Sequence, residues 1–219
     1  MQTRVLVVGA ATVLLLLAAS GCDGGVLGVR GSGNVITESR DVSGFNEIAL
    51  FGSGTVRVGV DGTESLIIEA EDNIMPRLTS EVHDGRLELS VESSISPTTD
   101  IIYTVSALAL EGVAISGSGE VTATGIAVDS FDVEISGSGR VEPTGTADTL
   151  VVGISGSGRY LGEDLEASVG TVRVSGSGEA VVNVTDDLDV DVSGSGGVQY
   201  IGDPRVAESI SGSGDITRK

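Results

Sequence analysis

Three acidic clusters carry the residue types that cleave polysaccharides. They are Asp186 and Asp187 with Asp189, Glu163 with Asp164, and Glu69 with Glu71 and Asp72. Hydrolysis of a glycosidic bond requires two carboxyl groups that flank the bond, one of which acts as an acid. Acids that are neighbours at turns are more often solvated corners, since nothing in their spacing makes them converge. We therefore predict no catalytic residue, and a divergent carbohydrate-active enzyme, similar to a polysaccharide lyase or hydrolase, is the alternative function.

The single His of the chain, His83, lies in the turn sequence His83-Asp84-Gly85. A His in an exposed turn is far more often a surface residue than a catalytic one. Calcium-binding β-rolls need an Asp at a fixed place in every glycine-rich repeat, and the repeats of this chain carry Ser there. A phosphate-binding loop needs a helix after its glycines, and no helix is predicted after these. The sequence therefore predicts neither a metal nor a cofactor.

The residue with the clearest chemical signature is Cys22, the single Cys of the chain. Residues 1–21 have the form of a signal peptide, in which the uncharged run Val5–Ala19 is followed by small residues. The run is short for a membrane-spanning helix. The Ala-Ser-Gly-Cys sequence that ends at Cys22 resembles a bacterial lipobox, in which the thiol takes a diacylglycerol and the Cys becomes the mature N-terminus. We expect a lipid on Cys22 and a membrane tether over residues 22–29.

Charge and composition restrict the class of partner. The chain carries 12 Lys and Arg against 32 Asp and Glu, a formal net charge of −20. A nucleic-acid partner is not expected, because no basic patch is available to neutralise phosphates. Hydrophobic residues make up 40% of the chain, and Val, Ile and Leu alternate regularly. Such a chain has a core to bury, which argues against disorder.

A Ser-Gly-Ser-Gly motif dominates the second half of the chain and recurs every 18 to 20 residues. A fixed period near 20 is typical of a solenoid, in which each repeat covers the next. The related sequences Gly31-Ser32-Gly33 and Gly52-Ser53-Gly54 lie upstream. The full motifs are Ser116–Gly119, Ser136–Gly139, Ser155–Gly158, Ser175–Gly178, Ser193–Gly196 and Ser211–Gly214.

Apolar residues alternate with polar ones on both sides of each motif, as in Val133 and Ile135 before the second motif and Val141 after it. This period of two predicts strands with one inward face. A flexible Gly-Ser linker would not carry phased Val and Ile. The residues directly after the motifs form an outward column of mixed charge that contains no run of acids. The repeats therefore predict an all-β, single-stranded parallel β-helix, or solenoid, with about 20 residues per rung.

Residues 30–110 repeat less regularly and are predicted to form an N-terminal β region, followed by the β-helix repeats over residues 111–219. A hairpin turn is expected at residues 83–85. Asp72–Pro76 is either a single helical turn or an irregular connection, and Ser93–Asp100 is predicted as an exposed loop. The expected strands are Thr55–Val60, Ser65–Ala70, Leu78–Val82, Arg86–Val91 and Ile101–Val105.

Five further motifs accompany the repeats: Gly31–Val35, Val42–Ile48, Gly52–Val56, Ile74–Pro76 and Asp84–Leu87. Together they resemble the putative auto-transporter adhesin family with a head GIN domain. The resemblance covers roughly Val29 to Lys219 and implies a secreted or lipid-anchored bacterial protein with a β-helical fold. It supplies no catalytic residue. One departure is Glu208, which occupies a position where an inward Val is expected and suggests a terminal rung that opens to solvent.

The predicted function is that of a non-catalytic cell-envelope lipoprotein, an adhesin-like binding or scaffolding module. It is expected to be held to a membrane through the lipid on Cys22, on the periplasmic or cell-surface side. The flat β faces are expected to contact a surface polysaccharide or a protein partner. A cleft with converging acids would instead favour the enzyme.

Overall fold

Each repeat forms a strand that bends around a common core and hydrogen-bonds to the equivalent strand of the next repeat. The computed structural model describes residues 28–219, which form a parallel β-solenoid of about five turns with a less regular N-terminal region. The predicted fold class is confirmed. The strands are β1 Val29–Arg30, β2 Val35–Arg40, β3 Glu47–Gly52, β4 Thr55–Val60, β5 Ser65–Glu71, β6 Leu78–His83, β7 Arg86–Val91, β8 Ile95–Ser96, β9 Ile102–Ala107, β10 Gly112–Gly117, β11 Glu120–Gly137, β12 Arg140–Gly156, β13 Arg159–Gly176, β14 Glu179–Gly194, β15 Gly197–Ile201, β16 Arg205–Gly212 and β17 Asp215–Arg218.

The inward column before each motif forms the centre of the core. Strands β10 to β14 pair in parallel and in register, so that Val113 lies beside Val133 and Ile115 beside Ile135. The predicted inward residues of these five strands are all 3% exposed or less. They are Val113, Ile115, Val133, Ile135, Val152, Ile154, Val172, Val174, Val190 and Val192.

The two glycines of each motif have different structural roles. Gly156, the first glycine of its motif, has a φ of 118°, and a Cβ there would lie 2.6 Å from the carbonyl oxygen of Gly137 in the preceding rung. Gly158, the second glycine, would place a Cβ 2.4 Å from Cγ2 of the buried Ile135. The Ser157 N–H donates to the Gly137 carbonyl at 2.8 Å. One glycine is thus needed for the bend and the other for close packing.

The less regular N-terminal region supplies the first rung of the solenoid. Strand β3 pairs in parallel with β10, and β4 pairs with β11, so that Gly52 is in register with Gly117. The Gly52-Ser53-Gly54 sequence is therefore a stacked repeat. The sequence Gly31-Ser32-Gly33 is not a rung, because it forms the turn between β1 and β2. Antiparallel pairs β2–β5, β5–β9 and β6–β7 complete this end.

Most local predictions upstream of the repeats are confirmed within one or two residues. Asp84 has a φ of 50° and Gly85 a φ of 81°, so the β6–β7 hairpin has left-handed turn residues. The Asp72–Pro76 segment is predicted as either a helical turn or an irregular connection, and the structure has a short 3-10 helical turn over Met75–Arg77. The predicted exposed loop contains one element that the sequence did not indicate, β8, which pairs with β1.

The C-terminal rung is open to solvent, as the departure at Glu208 suggested. Glu208 is in register with the buried Val190 but is exposed, and the neighbouring Ile210 is 46% exposed. In β16 and β17 the core side chains are covered on one side only, since each strand pairs with a single neighbour. Within residues 28–219, no helix is long and apolar enough to cross a membrane.

Candidate functional site

The first Ser of each motif lies on one flat face of the solenoid. These Ser side chains point outward, are exposed, and stack in register along β10, β11, β12, β13, β14 and β16. Neighbouring rungs in such a stack are about 4.8 Å apart. We call this surface the serine face, and define it by two outward columns. One column is Ser116, Ser136, Ser155, Ser175, Ser193 and Ser211, and the other, two residues earlier, is Ala114, Glu134, Gly153, Arg173, Asp191 and Ser209.

A shallow groove of about 330 Å³ lies in the middle of the serine face. Its floor is at Gly153, which has no side chain and lies in register between Glu134 and Arg173. Asp191 closes the far side, and the Ser hydroxyls of four successive motifs line one flank. The groove is therefore a gap in a row of charged side chains above a backbone floor.

The chemistry available at this groove suits binding. Hydroxyl groups both donate and accept hydrogen bonds, the guanidinium of Arg173 only donates, and the carboxylates of Glu134 and Asp191 only accept. The pKa of the nearby Asp132 is raised, first because burial disfavours its charged form and then because Glu134 and Glu47 lie close by. The groove is flanked by carboxylates on separate rungs, and it is open to solvent.

The structure places Asp187 in an ion pair, although the sequence left a catalytic role open. Both oxygens of its carboxylate accept hydrogen bonds from Arg205 on the next rung, from Nε at 2.8 Å and from Nη2 at 2.6 Å. Asp186 is exposed beside it, and Asp189 points outward two residues later. This pairing holds the terminal rung against its neighbour.

The second acidic cluster is also bound to the terminal rung. The Glu163 carboxylate accepts a hydrogen bond from Nζ of Lys219, and its backbone carbonyl accepts one from Nδ2 of Asn183 at 3.2 Å. Asp164 is exposed. The partner of Glu163 thus comes from the end of the chain, far from it in sequence.

The third cluster anchors the N-terminal segment. Glu71 is 1% exposed, and its carboxylate accepts hydrogen bonds from the Gly33 N–H at 2.6 Å, the Thr98 N–H at 2.9 Å and the Thr98 hydroxyl. The hydrogen bond from the Thr98 hydroxyl is the main reason that the pKa of Glu71 is lowered. A Cβ on Gly31 would overlap this carboxylate. Asp72 accepts hydrogen bonds from Ser32 and Asn34, whereas Glu69 is exposed.

His83 lies in the exposed hairpin, as predicted, with Nε2 2.9 Å from Oε2 of Glu81. The contact with Glu81 raises the pKa of His83. Among residues 28–219, no three Asp, Glu, His or Cys side chains are grouped as they would be to hold a metal ion. The prediction for Cys22 lies outside the described residues.

Sequence reasoning missed the groove because it considered the outward column after the motifs. That column is confirmed as a stacked row, and Arg159 pairs with Glu179 there at 3.1 Å. The signal for the groove was in the column before the motifs, where Gly153 interrupts a series of longer side chains. Gly153 lies within a strand and outside the motif, and this position is the only sign of the groove in the sequence.

The fold and this surface define a β-solenoid with a flat outward face. Residues 44–204 match the family described as putative auto-transporter adhesin, head GIN domain, and the chain belongs to this family. The resemblance stated from the motifs is thus confirmed. No curated protein matches the chain.

Solved structures share the fold. A putative adhesin from Bacteroides fragilis has a TM-score of 0.70 and 23% identity, with 88% of this chain and 100% of that chain covered. A putative lipid binding protein from Parabacteroides distasonis has a TM-score of 0.59 and 23% identity, with coverage of 87% and 99%. A putative adhesin from Parabacteroides merdae has a TM-score of 0.56 and 17% identity, with coverage of 87% and 98%. At these identities the likeness shows the fold alone.

Proposed function

We propose that the protein is a non-catalytic, adhesin-like binding module of the bacterial cell envelope. The observation that carries this proposal is the serine face: a flat, rigid surface of stacked strands with exposed hydroxyls, outward charges and a shallow groove. Membership of an adhesin family supports a place in the envelope or at the cell surface. The contacts proposed are with a surface polymer, either a polysaccharide or a protein.

The attachment proposed is a lipid on Cys22. Strand β1 begins at Val29, so residues 22–29 would serve as the tether between membrane and solenoid. Mass spectrometry of membrane fractions should find a lipid-modified N-terminal Cys22, and Cys22→Ser should release the protein into the soluble fraction. Recovery of an unmodified wild-type chain that begins at another residue would contradict the lipid anchor but not the binding module.

Two acidic clusters weigh against the alternative of a carbohydrate-active enzyme. The carboxylates of Asp187 and Glu163 are ion-paired with Arg205 and Lys219, so each has a structural role. Asp186 is the unpaired neighbour that a catalytic role would most readily use.

The experiment uses the full chain. It should be retained on isolated cell-envelope material and should show no turnover of polysaccharide or peptidoglycan substrates. Asp186→Asn, Asp187→Asn and Glu163→Gln variants serve as matched controls. Turnover that these variants abolish would establish the enzyme, and a wild-type chain that binds no envelope component would overturn the binding module.

A further inference from the structure

Three strand glycines of the solenoid have no structural need to be glycine. Gly59, Gly153 and Gly197 do not have a positive φ, and a Cβ at any of them would meet no atom closer than 3.9 Å. Motif glycines such as Gly156 have the opposite properties. Glycine weakens a strand interior unless a bulge, a bend or the close approach of another molecule requires it. The space above these three glycines is therefore the feature that needs an explanation.

Of these three glycines, Gly153 is the one that leaves a gap between side chains of opposite charge. Its two neighbours in the column, Glu134 and Arg173, lie one rung to either side, so their Cα atoms are about 10 Å apart. No ion pair joins them across the gap within residues 28–219. A ligand that entered this gap would reach the strand backbone, with donors on one side and acceptors on the other.

Arg173 is also exceptional among the basic residues of the repeats. Between residues 111 and 219 every other Arg or Lys is in an ion pair, but Arg173 is not, although Asp191 lies on the adjacent rung. The paired residues are Arg140, Arg159, Arg205, Arg218 and Lys219. An exposed guanidinium without a partner at the rim of a groove has its five donors available for a ligand.

We infer that the Gly153 groove is a binding site for one unit of a neutral, hydroxyl-rich polysaccharide; this rests on the proposed function and specifies its ligand. A neutral sugar presents donors and acceptors together, which matches Arg173 opposite Glu134 with Ser hydroxyls between them. A polyanion would meet the carboxylates of Glu134 and Asp191, and the net charge of −20 would repel it. The volume of about 330 Å³ is at the low end of small-molecule sites, as one sugar unit requires.

A polysaccharide is favoured over a protein by the side chains around the groove. The groove is open to solvent and has a polar rim. The large hydrophobic residues that are exposed within residues 28–219 are Val35, Ile36, Phe51, Ile67, Leu108, Val169 and Ile210. None of these lines the groove. The anchors of protein interfaces are mostly Trp, Tyr and Arg, and the groove has Arg173 at its rim but no aromatic residue. Its aliphatic lining residues, Ile135, Ile154 and Val174, are buried in the core.

Gly153→Val is the decisive variant, because its side chain extends into the groove from a position where a Cβ meets no atom closer than 3.9 Å. Its Cβ enters open space, and a β-branched residue suits a strand, so the melting temperature should equal or exceed that of the wild type. The matched control is Gly197→Val, which also enters open space but lines a different groove. Arg173→Gln keeps a hydrogen-bonding side chain and removes the charge.

Binding of the full chain is measured on immobilised dextran, mannan and galactan, with polygalacturonate as an acidic comparison. We expect the wild type and Gly197→Val to bind a neutral polymer equally, Gly153→Val to lose binding, and Arg173→Gln to bind at least about tenfold more weakly. The inference is overturned if Gly153→Val binds as the wild type does, if only polygalacturonate is bound, or if only proteins of the envelope are bound. In those cases a wild-type chain that is still retained on envelope material leaves the proposed function standing.

Discussion

Two glycines of the same strand should respond in opposite ways to the same substitution. Gly153 and Gly156 lie three residues apart in β12, and both are next to the same two rungs. At Gly156, Ala would have to adopt a φ of 118°, with its Cβ 2.6 Å from the Gly137 carbonyl oxygen. At Gly153, Ala would adopt an ordinary strand conformation, and its Cβ would lie 3.9 Å from the Val133 carbonyl oxygen.

These two geometries determine the expected changes in the free energy of unfolding. Holding a residue with a Cβ in a left-handed conformation costs about 1–2 kcal/mol, and forcing an extra methyl group into a packed site costs about 1–3 kcal/mol. We therefore expect Gly156→Ala to lower the free energy of unfolding by about 3 kcal/mol. Gly153→Ala should raise it by about 0.4–1 kcal/mol, because Ala restricts the unfolded chain without strain in the folded one.

Equilibrium denaturation with urea, followed by circular dichroism, measures both changes. For a chain of this size, 1 kcal/mol shifts the melting temperature by about 2–4 °C, so thermal melts should separate the two variants clearly. Gly176→Ala is a matched replicate, since Gly176 has a φ of 117° and a Cβ there would lie 2.5 Å from the Gly156 carbonyl oxygen. If Gly153→Ala were as destabilising as Gly156→Ala, the distinction between the two kinds of glycine would be wrong.

Three other perturbations follow from burial and hydrogen bonding. Val133→Asp places a charge at a position that is 0% exposed and should lower the free energy of unfolding by about 3 kcal/mol or more. Arg140→Ala on the outward column should change the free energy of unfolding by about 0.5 kcal/mol or less. Equal losses in urea denaturation would refute the assignment of Val133 as inward and Arg140 as outward. Tyr160 is fully buried and its hydroxyl has no hydrogen-bond partner among residues 28–219, so Tyr160→Phe should raise the free energy of unfolding by about 1 kcal/mol. A clear loss in the same assay would show that the hydroxyl is hydrogen-bonded. Because the pKa of Glu71 is lowered in the folded protein, its stabilising effect is present above the ordinary Glu value of 4.5 and is lost as the pH falls below it. The protection of residues 29–40 against hydrogen exchange, measured relative to the intrinsic rate at each pH, should fall over that range, and in Glu71→Gln it should already be low at neutral pH.

The repeats were predictable because their determinants are local. In Val172-Arg173-Val174-Ser175-Gly176 the alternation of apolar and polar residues specifies the face, and the glycine specifies the bend. The same pattern occurs once per rung, so the register of each strand is repeated and a single inference covers all of them. The β6–β7 hairpin was predictable for the same reason, since Asp84 and Gly85 favour left-handed conformations.

The contacts of Glu71 were not predictable from the sequence. Its partners Gly33 and Thr98 are 38 and 27 residues away, and neither carries a pattern that indicates a buried carboxylate. The sequence grouped Glu71 with Glu69 and Asp72 because they are close along the chain, at the end of β5 and directly after it. Alternation places Glu69 and Glu71 on the same face of the strand, yet Glu69 is exposed and Glu71 is buried. The difference arises because the segments that contain Gly33 and Thr98 cover Glu71 at the end of the strand. Proximity in sequence is therefore a poor guide to shared chemistry when the element is a strand.

The two ends of the solenoid differ in how firmly their terminal segments are held. At the N-terminal end, Arg40 of β2 donates to the carbonyl oxygen of Leu78 at 2.6 Å and to the hydroxyl of Ser80 at 3.1 Å, and Glu71 holds the segment before β2. At the other end, the inward positions of β16 hold Glu208 and Ile210, and both are exposed. A charge at an inward position of a terminal strand disfavours the addition of another strand. An anchor at Cys22 would therefore enter the fold at its fastened end, and the charge of Glu208 would disfavour the stacking of another chain at the distant end.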